Sequence, residues 1–262
     1  MKKIFIAILL FCAIIFCNAQ SESEYQTFVE KCLKPTVLIG SNDDSITGTG
    51  VIVKSEKLKY VDAYFNVIFS CDHILKSNKQ NIKISEFDKN GIFVKYTNAK
   101  AVVFYKDRDD DLSILFFTSD NIMPTADLSF NYNPKLKDFV FSIGHGMGDH
   151  SRYTDGVITG ALKTKEDFTD YKTSIPIIFG DSGGPLFYKN KLIGITNSIR
   201  SLKVTENVKV PVYNISTFKS LNLFNKILNT TSLSDKDFKN LNIPEILGVD
   251  LWLKYQKNIL DN

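Results

Sequence analysis

The sequence predicts an all-β chain folded as two barrels side by side, with a helix before them and helical segments after. Three observations carry this. Short apolar runs rich in Val, Ile, Phe and Tyr recur between polar or glycine-bearing turns, the pattern of a sandwich or barrel. These runs fall into two sets, roughly 36–118 and 138–215, on either side of the looser stretch "NIMPTADLSFNYNPKLKD" at 121–138. Helical spacing of apolar residues occurs only outside those sets.

Taken in order, the chain opens on "MKKIFIAILLFCAIIFCNAQ". A basic start at Lys2 and Lys3, an unbroken apolar run from Ile4 to Cys17 and a small residue at Ala19 fit a secretory signal peptide over 1–19. The run is short for a membrane span, so no stable membrane insertion is expected after cleavage. A helix is expected over 20–35, where Tyr25, Phe28, Val29 and Cys32 share one face and Pro35 ends the element. The first strand set comprises "TVLIG", "TGTGVIV", "YFNVIFS", "IKISEF", "IFVKYTN", "KAVVFYK" and "LSILFFT"; the second comprises "FVFSIGH", "TDGVITGALK", "SIPIIFG", "GPLFYKN", "KLIGITNSI" and "VKVPVYNIS". From Thr217 the pattern changes, with Phe218, Leu221, Phe224 and Leu228 at helical spacing, and 226–262 is expected to be a helical extension.

With 262 residues, 44% of them hydrophobic and 23% charged, the chain can build one large domain or two small cores. A formal charge of +3, falling to +1 without Lys2 and Lys3, is too weak to argue for a nucleic-acid partner. No cofactor motif and no second binding module is visible. Of four cysteines, Cys32 and Cys71 remain after the signal. Export permits a disulfide between them; the alternative is two buried small apolar residues.

The stretch "IIFGDSGGPLF" (177–187) sets Ser182 among three glycines. Glycines let the backbone approach a reacting group closely, and a loop built this way can offer both a nucleophile and N–H donors to a developing oxyanion. A serine nucleophile needs a base, usually a histidine oriented by a carboxylate. The three histidines, His73, His145 and His150, all precede Ser182. The order Ser, Asp, His of α/β-hydrolases is therefore excluded, and the β-rich pattern opposes the subtilisin order, which leaves His, Asp, Ser. His73 closes the apolar run "NVIFSCDHIL" at a strand end, whereas His145 and His150 lie in the glycine-rich turn "IGHGMGDH". Two histidines five apart in such a turn are weak grounds for a metal, and no metal site is expected. Among the carboxylates of "KDRDDDLSILFF", Asp111 alone immediately precedes the strand, where it can be held rigidly enough to orient an imidazole.

"CDHIL", "DLSILFF" and "GDSGGPLF" resemble the three signature segments of trypsin-like (chymotrypsin-fold) serine proteases, in that family's order. "TGTGVIV", "VFSIGHGMG…DGVITGAL" and "YNISTFKSL" resemble flanking segments of the bacterial HtrA (Deg) branch, so the likeness spans about 36–225. It implies two antiparallel six-stranded barrels of chymotrypsin type. It also implies His73 as base, Asp111 as its orienting partner, Ser182 as nucleophile, and the N–H groups of Gly180 and Ser182 as oxyanion hole, with no cofactor. Three departures stand out. Asp72 neighbours the base where the family has small residues. Asp181 stands where the HtrA branch usually has Asn; in pancreatic-type enzymes this Asp pairs with an N-terminus freed by cleavage, and no matching start is seen here. The chain after Ser216 is also too short for the HtrA peptide-binding module.

The resemblance implies a secreted serine endopeptidase acting on peptides or proteins; the competing reading is an inactive barrel of the same fold serving as a binding module. By analogy Ile195, Thr196 and Asn197 run along the substrate backbone as an added strand, and Ile175, Pro176 and Ile177 line the specificity pocket together with Thr196. No Asp or Glu lies between Tyr171 and Phe179 to hold a basic side chain, and "GITNS" lacks a histidine to hold Glu. Cleavage after Val, Ala, Leu or a similar residue is expected.

Overall fold

The computed structural model describes residues 21–41, 47–57, 62–75, 82–87, 93–107, 109–130, 132–146, 150–163, 168–203 and 209–224. The expected signal peptide at 1–19 and the extension at 226–262 lie outside the described residues. The described residues begin with a helix at 21–28 that widens into a π-turn at Val29–Leu33. Among the described residues thirteen strands follow: β1 (Thr36–Ser41), β2 (Thr47–Lys57), β3 (Tyr64–Ser70), β4 (Ile82–Phe87), β5 (Phe93–Asp107), β6 (Leu112–Ser119), β7 (Asp127–Leu128), β8 (Phe139–Gly144), β9 (Arg152–Lys163), β10 (Phe168–Thr173), β11 (Pro185–Tyr188), β12 (Lys191–Lys203) and β13 (Lys209–Ser220). The first six close a barrel in the order β1-β2-β3-β6-β5-β4. The later strands run β11-β8-β9-β10-β13-β12, and pairing of β11 with β12 joins the ends into a second ring, to which β7 adds in parallel along β12. The expected all-β, chymotrypsin-type architecture is the one observed.

Strand alternation sorts the apolar side chains into three cores. Along β6, Leu115 and Phe117 fill the first barrel with Ile39, Ile52, Ile68 and Ile84. Leu112, Ile114 and Phe116 face the other way, into a core shared between the barrels. There they meet Phe141, Ile143, Phe187 and Ile195 of the second barrel. A strand buried on both faces reads as an unbroken apolar run, which explains "LSILFF". Val29, Cys32 and Leu33 of the N-terminal helix and Phe224 of a helical turn at 221–224 seal the same shared core, Phe224 stacking on Phe69 with ring centroids 4.2 Å apart. The second barrel is filled by Val140, Ile158, Tyr171, Ile175, Leu186, Ile193 and Phe218.

Cys32 and Cys71 are both free and buried, so the disulfide entertained from the sequence does not form. They belong to different cores, Cys32 between the barrels and Cys71 inside the first. Each is packed as a small apolar residue, and burial drives the Cys32 thiol up to about 12 and the Cys71 thiol well above the ordinary range.

Candidate active site

Between the barrels, three segments distant in sequence converge. His73 opens a short 3-10 turn (His73–Leu75) after β3. Asp111 ends the turn before β6 with φ of 53°, a left-handed conformation that Asp tolerates better than most residues. The two segments are tied by pairing of Ser70 with Ser113 and by Ser113 Oγ, which donates to the Cys71 carbonyl at 2.9 Å. Asp111 grips His73 twice: Oδ1 accepts from the His73 backbone N–H at 2.8 Å, and Oδ2 lies 2.7 Å from Nδ1. An ionised carboxylate only accepts hydrogen bonds, so Nδ1 carries the proton. Nε2 is then the acceptor, and Ser182 Oγ lies 2.9 Å from it. Asp111, His73 and Ser182 thus form one hydrogen-bonded chain, its middle member about one-third exposed.

The Ser182 loop is fastened to both barrels. Gly180 and Gly183 have φ of 97° and 84°, which glycine adopts without penalty. A Cβ at Gly183 would lie 2.1 Å from Ser70 Oγ and 2.2 Å from the Thr49 carbonyl, so both conformation and space demand glycine there. Thr49 braces the loop from β2. Its N–H donates to the Ser182 carbonyl at 2.8 Å, and its Oγ1 donates to the Gly180 carbonyl at 2.7 Å. The same Oγ1 accepts the His145 N–H at 3.0 Å, and Ser70 Oγ donates to the Thr49 carbonyl at 2.7 Å. From the other side, Gly183 N–H donates to the Thr196 carbonyl at 2.9 Å. The N–H groups of Gly180 and Ser182 engage no acceptor among the described residues.

Asp181, between those two N–H groups, is buried. Its Oδ2 accepts the Ile178 N–H at 2.8 Å and pairs with the Arg152 guanidinium, which also donates to the Pro176 carbonyl at 3.1 Å. Burial raises the Asp181 pKa, opposed by the Ile178 N–H and by Arg152. Cys71 Sγ lies 3.8 Å from His73 Nε2. Cys71, His73 and Asp111 put three ligand atoms within 4.8 Å of one another, but both imidazole nitrogens are engaged, by Asp111 and by Ser182, and the thiol is held protonated by burial and by Asp111.

The expected substrate-contacting residues divide. Ile175 and Ile177 belong to the second barrel's core at 0% and 4% exposure, so they do not line an open pocket. Their alternation with half-buried Ser174, Pro176 and Ile178 follows the period of an extended segment. Ile195 is paired with Pro185 and Lys219, and the Thr196 N–H donates to the Gly184 carbonyl at 2.7 Å. Neither has a free edge for an added strand. That role is open to β12 only from Asn197 onward, where the register with β13 shifts. Asn197 Nδ2 donates to Asp111 Oδ2 at 2.5 Å. The contributions of Thr49, Arg152 and Asn197 were not read from the sequence. The glycines of "TGTG" were the available signal for Thr49, because a Cβ at Gly48 would meet Ile74 at 2.7 Å and the Ser182 carbonyl at 3.1 Å.

Comparison with known proteins agrees with this geometry. The family model "Trypsin-like peptidase domain" matches residues 48–195. A relative described as "Serine protease DegP homolog" from Plasmodium falciparum is 30% identical over 176 residues, covering 63% of this chain and 18% of its own length. Among solved structures, the serine endoprotease from Yersinia pestis superposes with a TM-score of 0.58 at 21% identity, covering 79% of this chain and 65% of the other. The HtrA-type protease AlgW, solved with a tripeptide, gives 0.61 at 20% identity, covering 79% and 62%. Barrel order and the family match over 48–195 agree, and the chain is similar to HtrA/DegP proteins over part of their length: the chain belongs to the trypsin-like peptidase domain family.

Proposed function

We propose that this protein is a secreted serine endopeptidase that cleaves peptide bonds through an acyl-enzyme, with His73, Asp111 and Ser182 as its triad. The observation that carries the reading is the continuous hydrogen-bonded chain from Asp111 through His73 to Ser182. Ser182 Oγ attacks the peptide carbonyl while its proton passes to His73 Nε2, and Asp111 stabilises the imidazolium through Nδ1–H. The electron pair moves onto the carbonyl oxygen, which the Gly180 and Ser182 N–H groups stabilise. Collapse of that intermediate expels the amine, which takes the proton from Nε2. Water then releases the acid by the same steps in reverse order. The engaged triad favours this over an inactive binding module. Export rests on the leader, and N-terminal sequencing of the exported chain is the test: it should begin at Gln20. No helix among the described residues is long and apolar enough to cross a membrane.

For specificity, the Arg152 guanidinium beside the Pro176 carbonyl is paired with Asp181, so an uncharged apolar residue before the cut remains the expectation. Fragments of an unfolded protein cut only after Lys, Arg or Glu would refute it. The central test is covalent labelling by a fluorophosphonate. Wild type should label at Ser182, and Ser182→Ala should not. Both Ser182→Ala and His73→Ala should lose on the order of 10⁴-fold in turnover while remaining folded. Full activity in either variant ends the assignment.

A further inference from the structure

We propose that Arg152 is the positioning residue that holds the Ser182 loop in working order from within the second barrel, so that the site is assembled without cleavage of the segment preceding the first barrel. The proposal rests on the peptidase reading above.

Asp181 stands between Gly180 and Ser182, so whatever fixes its side chain fixes the direction of both free N–H groups. The carboxylate turns inward, at 2% exposure for the residue. A carboxylate without a partner does not stay ionised there: it swings to water or takes up a proton. Arg152 supplies the partner. It begins β9 opposite Gly144 of β8, and its guanidinium bridges the Asp181 carboxylate and the Pro176 carbonyl. Both ends of the segment before Ser182 are thereby tied to one cation on a barrel strand.

The cavity is cut for this carboxylate. A Cβ at Gly144 would lie 2.2 Å from Asp181 Oδ1, and one at Gly146 would lie 3.3 Å from it. The glycines of "IGHG" therefore make room for the acid. The cation that meets the acid is already part of the folded chain. The segment that precedes the first barrel is an integral element. Val29, Cys32 and Leu33 lie in the core between the barrels, and Thr36 Oγ1 donates to the Cys32 carbonyl at 2.7 Å.

The test compares full-length wild type with Arg152→Met, Arg152→Lys and the double variant Arg152→Met with Asp181→Asn. Fluorophosphonate labelling, kcat and KM on a peptide substrate and intact mass are measured for each. Wild type should label while its mass shows residues 29–35 still attached. Arg152→Met should lose on the order of 10²-fold in kcat, the scale of a lost oxyanion donor, with a much smaller change in KM. Arg152→Lys keeps the charge but replaces the planar guanidinium by a compact, more strongly hydrated ammonium on a different stem and should fall between. The double variant, which removes both charges, should recover at least about tenfold over Arg152→Met, as expected when a stranded buried charge was the defect. That recovery separates positioning from a general loss of fold. Wild type that never labels overturns the peptidase reading and this proposal together. Wild type that labels alongside an Arg152→Met with unchanged kcat overturns this proposal alone. So does a double variant no better than Arg152→Met, or labelling confined to chains cleaved before the first barrel.

Discussion

Asn197 donates its side-chain amide to Asp111 at 2.5 Å, on the same oxygen that engages His73 Nδ1. The carboxylate is therefore fixed by three donors, one from β12 and two from His73. A hydrogen bond to a charged acceptor contributes about 1.5–3 kcal/mol, and each 1.4 kcal/mol is a factor of ten in rate.

Asn197→Ala should accordingly lower kcat by about tenfold or more. Asn197→Asp should be worse than Ala, because a second carboxylate would face the first at hydrogen-bonding distance and one of them must then move or bind a proton. Asn197→Ser, which keeps a donor, should retain more activity than Ala. Steady-state kinetics on one peptide substrate decide the matter. An Asp variant equal to or better than Ala would remove Asn197 from this role.

Thr49 tests the bracing of the nucleophile loop. Its hydroxyl satisfies the Gly180 carbonyl and the His145 N–H at once, with Thr49 and His145 fully buried. Thr49→Val keeps the shape and strands both groups, at about 1–3 kcal/mol each. The variant should lose roughly 2–6 kcal/mol in urea unfolding and label more slowly with a fluorophosphonate, whereas Thr49→Ser should stay near wild type. An unfolding midpoint and labelling rate both unchanged in Thr49→Val would show that this brace does not matter.

These predictions concern contacts that the sequence reading did not contain, although it gave Asn197 a place along the substrate backbone, and the reason is physical. The barrels were legible because strand alternation writes burial into the chain with period two, as in β6, whose odd and even positions enter different cores. Ser182, His73 and Asp111 were legible because each lies at an abrupt boundary: three glycines around one hydroxyl, a histidine closing an apolar run, an acid opening one. Arg152, Thr49 and Asn197 carry no such local mark. Arg152 is an ordinary charge at a strand start, and its meaning appears only when β9 lies beside β8 with Asp181 beneath. Ile195 and Thr196 were assigned to substrate for a related reason. Which edge of a strand is free depends on its partners in the sheet, and Gly184 had already taken the Thr196 N–H.

His145 yields the last prediction, one of stability and pH. It lies in the turn after β8, fully buried, and burial pushes its pKa from 6.5 down to about 3, weakly opposed by backbone groups of Thr36 and His150. The folded protein therefore holds His145 neutral where the unfolded chain would protonate it. Between about pH 6.5 and 3 the unfolded state binds the extra proton, so stability falls as pH falls, by about 1.4 kcal/mol per pH unit well below 6.5. From pH 6 to pH 4 this amounts to about 2–3 kcal/mol. Asp181 acts in the opposite sense, because burial raises its pKa and its protonation on acidification favours the folded state. The two contributions separate by mutation. His145→Gln cannot titrate, so its urea-unfolding free energy should decline less steeply than wild type between pH 6 and 4, whatever its stability at neutrality. Curves for the two proteins that run parallel across that range would mean that burial of His145 exacts no titration cost.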